Sequence, residues 1–91
     1  MIEHSQGERS QEGIIRQSLR RHVLGLARER RRETSSDDRE RRAGFVRRLE
    51  LEKSFAVLLS VAKRHGLAAE ADLAERRVQL DENERRSGAG R

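Results

Sequence analysis

The chain contains no cysteine, no proline, no tryptophan and no tyrosine, and only two of its 91 residues, Phe45 and Phe55, are aromatic. Without cysteine there is no disulfide and no thiolate-based zinc site. Without proline, nothing forbids long uninterrupted helices. RNA recognition by base stacking needs exposed aromatic platforms, and both phenylalanines are better used in a core. Long apolar runs are also missing. The longest, Ser54 to Ala62, falls far short of the roughly 20 apolar residues that span a bilayer. Residues Met1 to Gln6 show neither the basic nor the apolar region of an export signal. The expected setting is cytoplasmic, with no membrane partner.

Charge is abundant: 41% of residues are charged and the net charge is +5. The cations are 19 arginines and two lysines, Lys53 and Lys63. Arginine forks onto phosphate or carboxylate and stacks on bases, which suits nucleic-acid contact, although GC-rich coding alone gives the same bias. The distribution says more than the sum. Residues 13–33 carry +5, whereas residues 69–86 carry −2, so the positive field is concentrated early in the chain. Only 33% of residues are hydrophobic, too few for a comfortable monomeric core.

Periodicity predicts an all-α chain with helices over about 12–33, 37–65 and 69–86, a disordered tail at 1–11 and a flexible tail at 87–91. Ile15, Leu19, Val23 and Leu26 follow at spacings of four, four and three, the signature of one helix face. Ile14 and Leu24 lie off that stripe. The segment Thr34-Ser35-Ser36-Asp37-Asp38 supplies N-cap residues for the second helix, with Glu40 in its first turn. Asp37 with Arg41 and Asp38 with Arg42 have ion-pair spacing. Gly66 is a C′ residue, preceded by Lys63, Arg64 and His65 where cations favour a helix end. In the third helix Leu67, Ala71, Ala74 and Val78 make a thin stripe.

The second helix shows two apolar faces. Phe45, Leu49 and Ala56, with Val46 and Val57, form one; Leu51, Phe55, Leu58, Leu59 and Ala62 form the other. Two faces imply two partners. The first helix is expected to cover the former in a long antiparallel hairpin. The third helix is expected to fold back on the apolar end of the second, and the latter face would be completed by it, by self-association as a homodimeric helical bundle, or by a protein partner.

The leading functional candidate is the arginine field. Arg16, Arg20, Arg21, Arg28, Arg30, Arg31 and Arg32 lie on the first helix; Arg41, Arg42, Arg47 and Arg48 open the second. In a hairpin both groups crowd around the 33–38 turn, where guanidinium groups can track the phosphates of DNA or RNA. The competing reading is a solvated face neutralised by Glu29, Glu33, Asp37, Asp38 and Glu40. Val61-Ala62-Lys63-Arg64-His65-Gly66-Leu67 resembles the turn of a helix-turn-helix, which implies DNA reading. However, Asp72 and Glu75 stand where that motif buries apolar residues, and Glu70 and Asp72 place acid where phosphates should sit. The size and class also resemble small all-helical chorismate mutases, but their Arg and Lys spacing does not fit Arg16, Arg28 and Lys53.

His4, His22 and His65 are too scattered for a metal site, no serine sits in a nucleophile elbow, and no cofactor is implied. Arg31-Arg32-Glu33-Thr34 resembles a basophilic kinase site. The resulting expectation is a small non-enzymatic nucleic-acid-binding accessory protein. The alternative is an interaction adaptor docking through Leu51, Phe55, Leu58, Leu59 and Ala62.

Overall fold

The computed structural model traces the backbone over residues 2–89 and describes side chains over residues 11–85. It contains three helices, α1 (Ile2–Arg32), α2 (Asp38–Arg64) and α3 (Ala68–Ala89), and no strand among the described residues. The expectations for the tails at 1–11 and 87–91 fall, apart from Gln11, outside the residues whose side chains are described. The backbone of α1 nevertheless begins at Ile2 and that of α3 ends at Ala89.

Both connections are set by local chemistry. At the first, Asp37 has extended backbone and its carboxylate accepts from the Arg39 amide at 2.9 Å, the work of an N-cap. Ser35 Oγ accepts from the Asp37 amide at 3.1 Å. With Asp37 engaged as a cap, Arg41 pairs with Asp38, and the two spacings expected to form pairs are not used. At the second connection the Leu67 amide donates to Ala62 O at 2.8 Å and the Gly66 amide donates to Lys63 O at 3.2 Å. Those two bonds define a Schellman turn, which needs a left-handed residue at C′. Gly66 provides it with φ of 77°. Leu67 and Ala62, both buried, supply the apolar contact that accompanies the motif.

α1 and α2 run antiparallel, as the contacts between His22 and Ser54 and between Arg32 and Glu40 require. α3 then returns beside α1, with Glu70 facing Arg16 and Asp81 facing Arg30. A helix-turn-helix crosses its two helices at roughly 90–120°; here the Gly66 turn instead folds α3 back along the hairpin. The molecule measures 56 × 24 × 16 Å, so it is thin and every helix keeps an outward face.

Lengthwise the fold divides into an apolar half and an ionic half. The core comprises Ile15, Leu19 and Leu26 from α1, Phe55 and Ala62 from α2, Leu67 before α3, and Ala71 and Ala74 within it. Val23, Leu51, Leu58, Leu59, Val61 and Val78 pack around it. Burying a large apolar side chain contributes about 1.5–3 kcal/mol. Among the described residues five apolar side chains of leucine size or larger are buried, so this core is small. Toward the 33–37 turn, burial passes to Glu29, Arg30 and Gly44. There the helices approach so closely that a Cβ on Gly44 would lie 2.8 Å from Glu29 O.

The two faces of α2 have exchanged the parts expected of them. Phe55 and Ala62 lie in the chain's own core, and Leu51, Leu58 and Leu59 pack against it. Phe45, Val46, Leu49 and Val57, expected to meet α1, are exposed instead. The glycine decides this. Gly44 falls on the same side of α2 as Leu51, Phe55 and Ala62, and it is the side on which α1 can come close. The face expected to be free is therefore filled from within, and the reason for expecting a dimer or a partner there disappears.

Candidate anion-binding groove

The arginines of the ionic half divide by what already holds them. Arg30 is only 8% exposed: its Nη1 donates to Val78 O at 3.0 Å, and its guanidinium lies 3.7 Å from Asp81 and 3.5 Å from Glu82. It clamps α3 onto α1. Arg85 closes the same seam by donating to Ala27 O at 3.0 Å. Within α3, Asp81 Oδ2 and Arg85 Nε lie 3.5 Å apart without a hydrogen bond and meet at ion-pair range.

Between α1 and α2, Arg48 donates to both oxygens of Glu33, at 2.7 and 3.1 Å, and to Glu52 at 2.8 Å. Its guanidinium also sits 5.4 Å from the Phe45 ring centroid. Arg32 donates to Glu29 at 2.8 Å and to Glu40 at 3.2 Å. Glu40, in the first turn of α2, is thus used as an interhelical acceptor. Arg32 is raised above its ordinary pKa by the hydrogen bond to Glu40 first and Glu29 second. Arg48 is raised by Glu33 first and, against the opposing effect of burial, by Glu52. A raised guanidinium contributes stability that is complete below its ordinary value and lost only above the raised one. Both pairs are therefore constant through the neutral range.

What remains lines a groove of about 890 Å³ between α1 and α2. Arg21, Arg28 and Arg31 stand along the α1 wall, joined by Arg32 and, from α2, Arg47. The positions 21, 28 and 31 repeat at helical spacing, which puts them on one face about 15 Å long. Gly25, Leu24 and Leu51 form the floor, and the exposed end opens past Ser35. Glu40 is the one acid in the lining, and Arg32 already neutralises it. Arg21 and Arg31 carry no ion pair with any described residue. Arg28 faces Glu29 at 3.9 Å with its side chain 75% exposed. Arg47 reaches Glu50 on its own helix at 3.1 Å.

His22 marks the inner end of the groove. Its Nδ1 lies 2.8 Å from Ser18 O, an atom that only accepts, so Nδ1 carries a hydrogen. Its Nε2 meets Ser54 Oγ at 2.8 Å, and the ring stacks on Phe55 at a centroid distance of 6.1 Å. His22 thus sits at the edge of the core and joins the two helices.

The eleven arginines picked from the sequence therefore do not form one surface. Arg21, Arg28, Arg31, Arg32 and Arg47 come together in the groove. Arg16, paired with Glu12 and Glu70, lies with Arg20 toward α3. Arg30 is buried, Arg48 is locked in the hairpin, and Arg41 is tied to Asp38 and Ser35 O. Arg42 lies on the opposite side, next to Phe45 and Val46. Of the rest of the lining, Leu51 was expected at a protein interface, and His22, Leu24, Gly25 and Ser35 were not among the candidate site residues. A glycine inside a helix costs about 1 kcal/mol, which was the available signal that Gly25 faces something close: Leu51 Cδ1 lies 3.3 Å from where its Cβ would be.

No group of three or more His, Cys, Asp or Glu residues that could hold a metal ion occurs among the described residues, and none of their helices is long and apolar enough to cross a membrane. Compared with known proteins, the chain matches no family model, no curated protein and no solved structure.

Proposed function

We propose that the chain is a small non-enzymatic nucleic-acid-binding protein that seats backbone phosphates in the α1/α2 groove, without reading base sequence. The observation that carries this is the set Arg21, Arg28 and Arg31, which share one wall of a groove whose one acid is already paired. Arg21 and Arg31 have no carboxylate partner among the described residues and Arg28 meets only Glu29, at 3.9 Å, so the three are free to exchange counterions for phosphates. Five cations around one groove form a local field that attracts polyanions. No Phe, Tyr or Trp lines the groove, and its one ring, His22, is already engaged by Ser18, Ser54 and Phe55, which favours contacts indifferent to sequence.

The surface is narrower than the whole arginine field. Arg30, Arg32, Arg41 and Arg48 hold carboxylates or carbonyls of the chain itself, so their substitution acts on the fold before it acts on a ligand.

The test is binding of a short generic DNA duplex, and its RNA counterpart, to the full chain across a salt series. Affinity should fall linearly on a log–log plot, with a slope of roughly −0.9 per phosphate neutralised on duplex DNA. The triple variant R21Q/R28Q/R31Q should bind more weakly and lower the slope by about 3, one per contact removed. Its helicity should be unchanged, because none of the three is buried. A triple variant that binds with the affinity and slope of the parent removes the groove from consideration.

A further inference from the structure

We propose that the outward face of α2 is a docking surface for an acidic amphipathic helix of a partner protein. The inference is independent of the groove, which lies between α1 and α2 and uses other side chains. Four large apolar residues stand open on this face: Phe45 is 48% exposed, Val46 54%, Leu49 40% and Val57 66%. Among the described residues no helix covers them. Among them stand Arg39, Arg42, Lys53, Lys63 and Arg64, none of which has an ion pair with a described residue. Two acids share the arc, and each is held by an arginine of α2: Asp38 by Arg41, and Glu50 by Arg47 at 3.1 Å. The face is therefore apolar and uncompensated in positive charge.

Its spacing suits a helix. Arg42, Val46, Leu49, Lys53, Ala56, Ser60 and Lys63 follow at alternating steps of four and three, the steps a packed partner helix follows. The line runs for about 32 Å at 1.5 Å per residue, the length of a helix of some 20 residues. Apolar residues on that partner would meet Val46 and Leu49, while carboxylates would meet Arg42, Lys53 and Lys63. Other occupants fit less well. A phosphate backbone offers nothing apolar to Val46, Leu49 and Val57. A second copy would set the same cations against themselves, a costly arrangement in an isologous pair. In a bilayer Lys53, which lies on the midline of the strip, would have its ammonium drawn toward the hydrocarbon.

The experiment uses the full chain and a fluorescent synthetic peptide of four heptads, with leucine at the two seam positions of each heptad and glutamate beside them. A twin with lysine in place of glutamate is the control. The acidic peptide should bind and the lysine twin should not. L49Q/V57Q and K53E should each weaken binding by about tenfold or more while leaving helicity and melting unchanged, since all three side chains face solvent. No binding of the acidic peptide overturns the proposal, as does equal binding by the variants or by the twin. Sedimentation as a dimer that L49Q dissolves would give the face to a second copy. Binding to phosphatidylserine vesicles that L49Q/V57Q abolishes, with no binding of the peptide, would give it to a lipid surface. Loss of nucleic-acid binding in R21Q/R28Q/R31Q leaves this result untouched, so the two readings fail separately.

Discussion

Three helical glycines form a graded test of how closely α1 and α2 are packed. On propensity alone, replacing a helix-interior glycine by alanine stabilises by about 0.5–1 kcal/mol. Gly13 has no atom within 4 Å of where an alanine methyl group would sit, so Gly13→Ala should return that full gain. At Gly25 the nearest atom is Leu51 Cδ1 at 3.3 Å, the end of a side chain that can rotate away, so Gly25→Ala should fall near neutral. At Gly44 the new Cβ would sit 2.8 Å from both Glu29 O and Arg32 Cβ, and 3.2 Å from the Glu33 amide nitrogen. Two of those atoms are backbone, and they are themselves joined by the hydrogen bond from the Glu33 amide to Glu29 O. α2 would have to retreat by about 0.6 Å to reach an ordinary 3.4 Å contact, which strains the Arg48–Glu33 and Arg32–Glu40 pairs on either side. Overpacking of this kind costs about 1–3 kcal/mol. Set against the helical gain, Gly44→Ala should lose about 1–2 kcal/mol, or roughly 4–8 °C in Tm per kcal/mol for a chain of this size. Urea and thermal unfolding of the three variants read the order directly. If Gly44→Ala is stabilised as much as Gly13→Ala, the close approach does not exist and the ionic half is not built as described.

Gly66→Ala should destabilise by about 1–2 kcal/mol, because an L-residue is strained in the left-handed region that Gly66 occupies at φ 77°; a thermal melt identical to the parent's would mean that the turn relaxes. Arg30→Gln should lose about 1–3 kcal/mol, less than a fully enclosed pair, because the Asp81 and Glu82 side chains it faces are about a third exposed. Hydrogen exchange should show the loss as earlier opening of α3, and an unchanged α3 would show that Leu67, Ala71 and Ala74 dock it unaided.

The parts legible in the sequence were those governed by neighbours along the chain. The 4-4-3 spacing from Ile15 to Leu26 identified the buried stripe of α1, and Ile14 and Leu24 lie exposed off it. Gly66, Asp37 and the positions of the two turns were readable from capping chemistry. The choice between the faces of α2 was not, because each offers a comparable set of apolar side chains. Its deciding signal was Gly44 in line with Leu51, Phe55 and Ala62, a helix-interior glycine whose absence of a side chain makes sense only at a close crossing. The groove was half legible. Local spacing could place arginines on a helix but could not tell which of them had distant carboxylates waiting. Arg30 meets Asp81 and Glu82, and Arg48 meets Glu33, across separations that no i,i+4 rule covers.

That division of the arginines predicts different responses to salt. Direct pairs such as Arg48–Glu33 at 2.7 Å and Arg32–Glu29 at 2.8 Å are far shorter than the Debye length of about 8 Å at physiological ionic strength, and both are partly shielded from solvent. Screening acts weakly on them. Arg21, Arg28 and Arg31 act on a ligand by exchanging counterions, a process whose equilibrium constant falls with every increment of salt. Raising salt from about 50 to 200 mM should therefore lower the affinity of the groove for a polyanion by orders of magnitude. Across the same range the unfolding free energy of the free chain, read by urea titration, should change by only a few tenths of a kcal/mol, on the order of one exposed ion pair. Unfolding and binding that weakened in parallel would mean that the groove opens because the hairpin does, and that the arginines on its wall are structural like the rest.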